Sequence, residues 1–211
     1  MENSTNTIIF VILRVIIYGA VLLGVTQVIF LDAFEQVDFE LTHKYGEYSY
    51  TEWGQVIFLI MIISMFFWSA KLDKNYQAAP IAVSGFFTMA LIREFDMHLD
   101  LIFDGLWQIL ALSTLLITLW LLYKQKAFFK DSIIYFFRTT AFGFITAGFL
   151  TTFVFSRLYG RKTFWRQVME DGYMRTVKNA SEESIELLGY TIIFFGAIEY
   201  FRHLLKEKVE H

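Results

Sequence analysis

Six stretches of this chain are made almost wholly of apolar residues, and most of its charge lies between them. About 20 apolar residues in a helix match a hydrocarbon core roughly 30 Å thick. In that solvent only a helix or a closed barrel satisfies its own backbone. The stretches are 7–31, 54–70, 79–93, 101–123, 132–157 and 184–205. They carry few helix breakers: the whole chain of 211 residues has one proline against 24 phenylalanines. The pattern predicts an all-α, polytopic integral membrane bundle, a single transmembrane domain of six membrane helices.

Composition agrees with that solvent. Hydrophobic residues make up 56% of the chain and mean hydropathy is +0.48, against about 45–50% apolar residues in a soluble domain. Cysteine is absent, which excludes disulfides, thiolate metal sites and cysteine nucleophiles. A net charge of −3 argues against nucleic acid as a partner. Membrane lipid and other membrane subunits are the expected partners instead. No nucleotide-binding loop, dinucleotide fingerprint or serine–histidine–aspartate order is present. The first run lacks a basic leader and a small-residue cleavage site, so it reads as a retained span.

The connections carry the remaining signals. Pro80 suits the first turn of the third helix, and Asp131-Ser132 offers an N-cap for the fifth. Segment 32–53 is acidic and aromatic, as expected at a membrane interface. Segment 158–183 is basic, then acidic, with Phe164, Trp165, Val168 and Met169 at helical spacing. That spacing predicts an interfacial amphipathic helix within 158–180. Lys71, Lys74, Lys124, Lys126, Lys130, Arg202, Lys206 and Lys208 would share one side of a six-span protein. By the positive-inside rule both termini are then cytoplasmic, in a plasma membrane of the bacterial inner-membrane kind. The loop with Arg157, Arg161, Lys162, Arg166, Arg175 and Lys178 dissents from this orientation. Its arginines have acids to meet on the same face.

Those acids form two constellations. The stretch from Leu91 to Gly105 packs Arg93, Glu94, Asp96, His98, Asp100 and Asp104 between two apolar runs. Treated as one helix, Arg93, Asp96, Asp100 and Asp104 fall within an arc of about 80°, and Glu94 and His98 are i,i+4 neighbours. The chain must break near 97–99 to return across the membrane. Helix-dipole electrostatics alone would explain Asp100 and Asp104. In the second constellation Glu182, Glu183 and Glu186 crowd the start of the last span, where repulsion calls for a cation, an arginine or protons. Glu186 lies about one turn inside the apolar run, and an ion pair with Arg157, Arg161 or Arg175 would satisfy it. No cofactor is predicted. A divalent metal is the sharper alternative, with Glu94, His98, Glu183 and Glu186 as ligands, although no known metal-ligand spacing is reproduced. The Glu182-Glu183 pair departs from the EExxxR motif of the CAAX-type glutamyl intramembrane proteases, because Leu187 stands where the arginine would fall.

Three charges lie within the spans. Arg14 and Arg138 can snorkel to their own ends, and Glu199 has Arg202 and His203 at i+3 and i+4. Ala20 with Gly24, Gly143 with Ala147, and Gly189 with Gly196 supply small faces expected to pack within the bundle. The leading functional expectation is a charged site on the non-cytoplasmic face that binds or translocates a small ion or polar solute. Its ligand-binding residues would be Arg93, Glu94, Asp96, His98, Asp100, Arg157, Arg161, Arg166, Arg175, Glu182, Glu183 and Glu186. Alternatives are an enzyme that grips an anionic lipid head group with Arg157, Arg161 and Arg166, or a non-catalytic subunit of a membrane complex.

Overall fold

The computed structural model describes residues 2–34, 45 and 49–210. Among these every regular element is a helix: α1 (Glu2–Phe34), α2 (Tyr50–Leu72), α3 (Ala78–Glu94), α4 (Asp96–Asp100), α5 (Leu106–Lys124), α6 (Phe129–Phe137), α7 (Thr140–Phe149), α8 (Ser156–Tyr159), α9 (Lys162–Met169) and α10 (Arg175–Glu210). A π-helical segment, Leu150–Phe155, joins α7 to α8. Among the described residues five helices are long and apolar enough to cross a membrane: Ile8–Phe34, Tyr50–Leu72, Leu106–Lys124, Thr140–Tyr159 and Arg175–Lys208. The interfacial segment expected at 32–53 lies largely outside the described residues.

The predicted spans shift where local chemistry overrides hydropathy. The second helix starts at Tyr50 rather than 54, because polar groups cap it. Ser49 Oγ accepts from the Glu52 N–H at 3.2 Å, as an N-cap serine does. The third helix has 17 residues and so reaches only about 26 Å. The fifth predicted span is interrupted: Thr139 is extended, with φ −83° and ψ 151°. Its hydroxyl donates to the Phe136 carbonyl at 2.7 Å, a local bond that competes with the helix. Arg138 therefore ends α6, exposed, instead of sitting two turns inside a span.

The chain forms two compact units, residues 1–54 with 151–191 and residues 55–150 with 192–211. In the first, Asp32 at the end of α1 is 2% exposed. Its Oδ1 accepts the Tyr50 N–H at 2.7 Å, and its Oδ2 accepts the Thr51 N–H at 2.8 Å and the Thr51 hydroxyl. One carboxylate thus ties the end of α1 to the orphan donors that begin α2. Tyr45 donates its hydroxyl to the Ile29 carbonyl at 3.1 Å. Burial and the nearby Asp32 push the Tyr45 phenol above its ordinary pKa.

The second unit is centred on aromatic packing. Phe66 stacks on Tyr200 at 5.6 Å, and Phe136 meets Tyr200 edge-on at 5.2 Å. Ser132 does not cap its own helix, as the sequence suggested. It lies inside α6, fully buried, and its Oγ accepts the free Ala79 N–H at the start of α3 at 3.0 Å. Pro80 occupies the first turn of α3, as expected.

Small residues divide by face. A Cβ on Gly196 would lie 2.6 Å from Ile145, so this glycine is a contact. Gly24 and Gly143 have nothing within 4 Å of such an atom and are exposed. Their expected packing is thus corrected: the buried stripe of α7 is Ala141, Ile145 and Gly148, on the opposite side from Gly143.

Replacing Asp32 by alanine strands two backbone donors and a hydroxyl in a buried place. The expected loss is about 1–3 kcal/mol, read as a lowered thermal midpoint in detergent. Asp32→Asn, which keeps one acceptor oxygen, should lose less. Parent-like stability of both variants would remove the capping role.

Candidate functional site

The expected site residues divide between the two units. In the first unit the chain folds back so that α8 faces the beginning of α10. The π-helical segment sets this up, since its extra residue per turn re-aims the side chains that follow. Ser156 is fully buried behind it and Arg157 lies at the rim.

Glu182 and Glu186, one turn apart on α10, are 8% and 4% exposed. The Arg157 guanidinium bridges them: Nη1 lies 3.4 Å from Glu182 Oε1 and Nη2 lies 3.3 Å from Glu186 Oε1. Lys178, four residues before Glu182, pairs with Glu182 Oε2. Ser156 Oγ lies 3.2 Å from Glu186 Oε1. Thr152 donates to the Glu186 carbonyl at 3.4 Å. Gly160 makes the approach possible, for a Cβ there would sit 2.5 Å from Glu182 Cδ. Two buried carboxylates are thus matched by two cations, and repulsion between the glutamates is offset.

The arrangement has an asymmetry. Both acids are covered, yet the Arg157 side chain keeps 45% of its surface exposed. A guanidinium has five N–H donors, and only two of its nitrogens are engaged by these carboxylates, at long distances. The site therefore presents a part-exposed cation beside a buried pair of anions. It can receive an anionic or carboxylate group at the rim, or exchange a cation at the carboxylates.

Of the other predicted residues, Arg161, Arg166 and Arg175 are exposed, and Glu183 is half-buried beside the cluster. Arg166 stacks over the Tyr173 ring at 5.6 Å. Within 158–180 the chain has a helix, α9, with Phe164 and Val168 exposed.

The Arg93–Asp100 group belongs to the second unit, where it is not one continuous helix. The break falls at Phe95, before the expected 97–99, and α4 is a separate short turn. The single arc of Arg93, Asp96, Asp100 and Asp104 is therefore corrected. Arg93 is exposed; Glu94, Asp96, His98 and Asp100 are half-buried. Asp96 Oδ1 accepts the Met97 N–H at 2.6 Å, and the His98 ring meets Phe95 edge-on at 6.0 Å. Asp100 Oδ1 accepts the Gly105 N–H at 2.9 Å. Gly105 has φ +80°, so glycine suits the turn that starts α5. Asp100 is accordingly a turn-former through this hydrogen bond; it ends α4, and neither it nor Asp104 lies in the first turn of α5, where the dipole explanation would have put an acid.

Among the described residues no group of three or more His, Asp or Glu side chains converges as metal ligands would. Glu199 pairs with Arg202 at 3.6 Å, as its i+3 spacing implied. Sequence reasoning missed Ser156, Lys178 and Gly160. Lys178 was findable from its i,i+4 spacing to Glu182; the other two carry no local signal. The chain matches no family model, no characterised protein and no solved structure.

A double-mutant cycle measures the bridge. Arg157→Gln leaves two buried carboxylates short of a counter-ion, and should destabilise more than Arg157→Gln combined with Glu186→Gln. Allowing for Arg157's exposure, the coupling should be about 1 kcal/mol in thermal unfolding. Strict additivity would show the bridge to be energetically empty.

Proposed function

We propose that this chain is a polytopic membrane protein that binds or translocates a small ion or polar solute, with the Arg157–Glu182–Glu186 cluster as the binding group. The observation that supports this most is the half-exposed guanidinium held over two buried carboxylates. A buried ion pair adds little net stability, because desolvation offsets its attraction. Exchange with a solute is a use for which such a cluster is suited. Ser156 supplies a neutral oxygen beside Glu186, and Lys178 balances the second acid. In this reading Arg161, Arg166, Arg175 and Glu183 bias the approach electrostatically, while Arg93, Glu94, Asp96, His98 and Asp100 contribute a second polar group.

The same reading takes α3 as a sixth, short span, lays α9 on the membrane surface and puts both termini in the cytoplasm of a bacterial inner membrane. A second reading, a non-catalytic subunit, is favoured by α1. Its residues Ile8–Phe10, Val15 and Ile16 are exposed, and over residues 8–34 of that helix only Val25 and Asp32 are buried.

Ligand-induced stabilisation tests the leading reading. Solubilised protein is heated with sodium, potassium, calcium or magnesium chloride, or with sodium glutamate, at constant ionic strength. One probe should stabilise saturably, by about 2.7 kcal/mol at a hundredfold excess over Kd. Glu186→Gln should abolish the effect, and Arg157→Gln should change its affinity. If no probe stabilises, or if Glu186→Gln responds like the parent, the cluster is a structural ion pair and the proposal fails.

A further inference from the structure

The second unit contains a groove of about 400 Å³ between α2, α3 and α5. Its walls include Ile63, Phe67, Ile81, Ile117 and Leu121, and Lys71 and Gln77 also border it. Phe67 and Ile117 are exposed at 52% and 58%, so the groove opens sideways, where a transmembrane helix meets lipid.

Four hydroxyls also line this space, and each donates its proton within its own helix. Ser84 donates to Ile81 O at 3.1 Å, Thr88 to Ser84 O at 2.8 Å, Thr114 to Leu110 O at 2.9 Å and Thr118 to Thr114 O at 2.8 Å. With these donors spent, none is left to donate to a guest, and the rest of the lining is mostly apolar: Ile63, Phe67, Ala70, Ile81, Ile117 and Leu121. Thr118 also packs hard against Gly85, where a Cβ would lie 2.3 Å from its Oγ1. The surface is therefore fit for hydrocarbon.

Charge is concentrated at one end. Lys71 lies over the Phe67 ring at 4.2 Å and near the Trp68 ring at 5.0 Å; Lys124 lies over Trp120 at 3.5 Å; Lys126 lies 4.8 Å from the Tyr123 ring centre. Gln125 donates to Gln77 at 2.7 Å and ties the α2–α3 turn to the end of α5, so these lysines share one end of the unit. The two turns, 71–77 and 124–131, hold five lysines against Asp73 and Asp131. Lysine above an aromatic ring at a helix end marks the membrane–water interface, and such lysines attract anionic lipid.

We infer that the groove between α2, α3 and α5 is a binding site for one anionic phospholipid, with an acyl chain along Phe67, Ile81 and Ile117 and its phosphate at Lys71. The volume suits one chain rather than a whole lipid, and the open side leaves the second chain in the bilayer. The positive end supplies the complement to the head group.

Native mass spectrometry of delipidated, detergent-solubilised protein tests this with dioleoyl phosphatidylglycerol and dioleoyl phosphatidylcholine. One phosphatidylglycerol should bind saturably, and at least about fivefold more tightly than phosphatidylcholine, the contribution of one interfacial lysine. Lys71→Glu, an exposed change that leaves the groove intact, should erase that preference. Ser84→Trp, which fills the groove, should abolish saturable binding of both lipids, with circular dichroism confirming that the helices persist. Glycerol phosphate should not compete. Equal affinity for the two lipids, an unchanged Lys71→Glu, or competition by glycerol phosphate would each overturn the inference. So would a dimer that disappears in Ser84→Trp, since the groove would then hold a second copy of the chain.

Discussion

In a bilayer water does not reach the polar backbone groups of a helix end or a hydroxyl, so the chain must satisfy them itself. The tertiary bonds that hold this protein together follow from that constraint. Asp32 reaches across from α1 to the first donors of α2. Ser132 reaches from α6 to the Ala79 N–H in the first turn of α3. Serines and threonines inside the helices bond back to carbonyls three or four residues earlier. Apolar surface offers little drive for association where lipid is equally apolar, so close packing and these few polar links carry specificity. Gly85 against Thr118 and Gly196 against Ile145 are such close approaches.

Charge follows the same economy. The lysines at the ends of α2 and α5 rest their ammonium groups over aromatic rings at those helix ends. The acids of α10 are another matter, because Glu182 and Glu186 are nearly covered. Arg157 and Lys178 offset their charge. The π-helical segment before Ser156 is the local distortion that brings this arginine to them. An exposed arginine over covered acids is an arrangement that a solute can perturb, whereas the Asp100 carboxylate is engaged by the Gly105 N–H that shapes its turn.

Most of the helices were legible from hydropathy, because hydrocarbon length is a one-dimensional property of sequence. Their boundaries were less so. Thr139 breaks a run that hydropathy reads as continuous, and its side-chain bond to Phe136 is invisible to a window average. Arg138 looked like an intramembrane charge for the same reason. Within the candidate site, Glu186 was legible as part of an excess of charge at a helix start, with three arginines offered as its partner. Ser156 and Gly160 were not, since their roles depend on which residues stand opposite.

By itself the sequence determined the solvent, the helical class and the placing of charge at helix ends, all consequences of composition and of the length of apolar runs. Tertiary structure alone decided which arginine meets Glu186, which serine caps α3, and which small residues pack and which face outward. These are pairings between residues dozens of positions apart. They depend on the azimuth at which each helix presents its side chains, and on breaks at Phe95 and Thr139 that reset that azimuth partway along the chain.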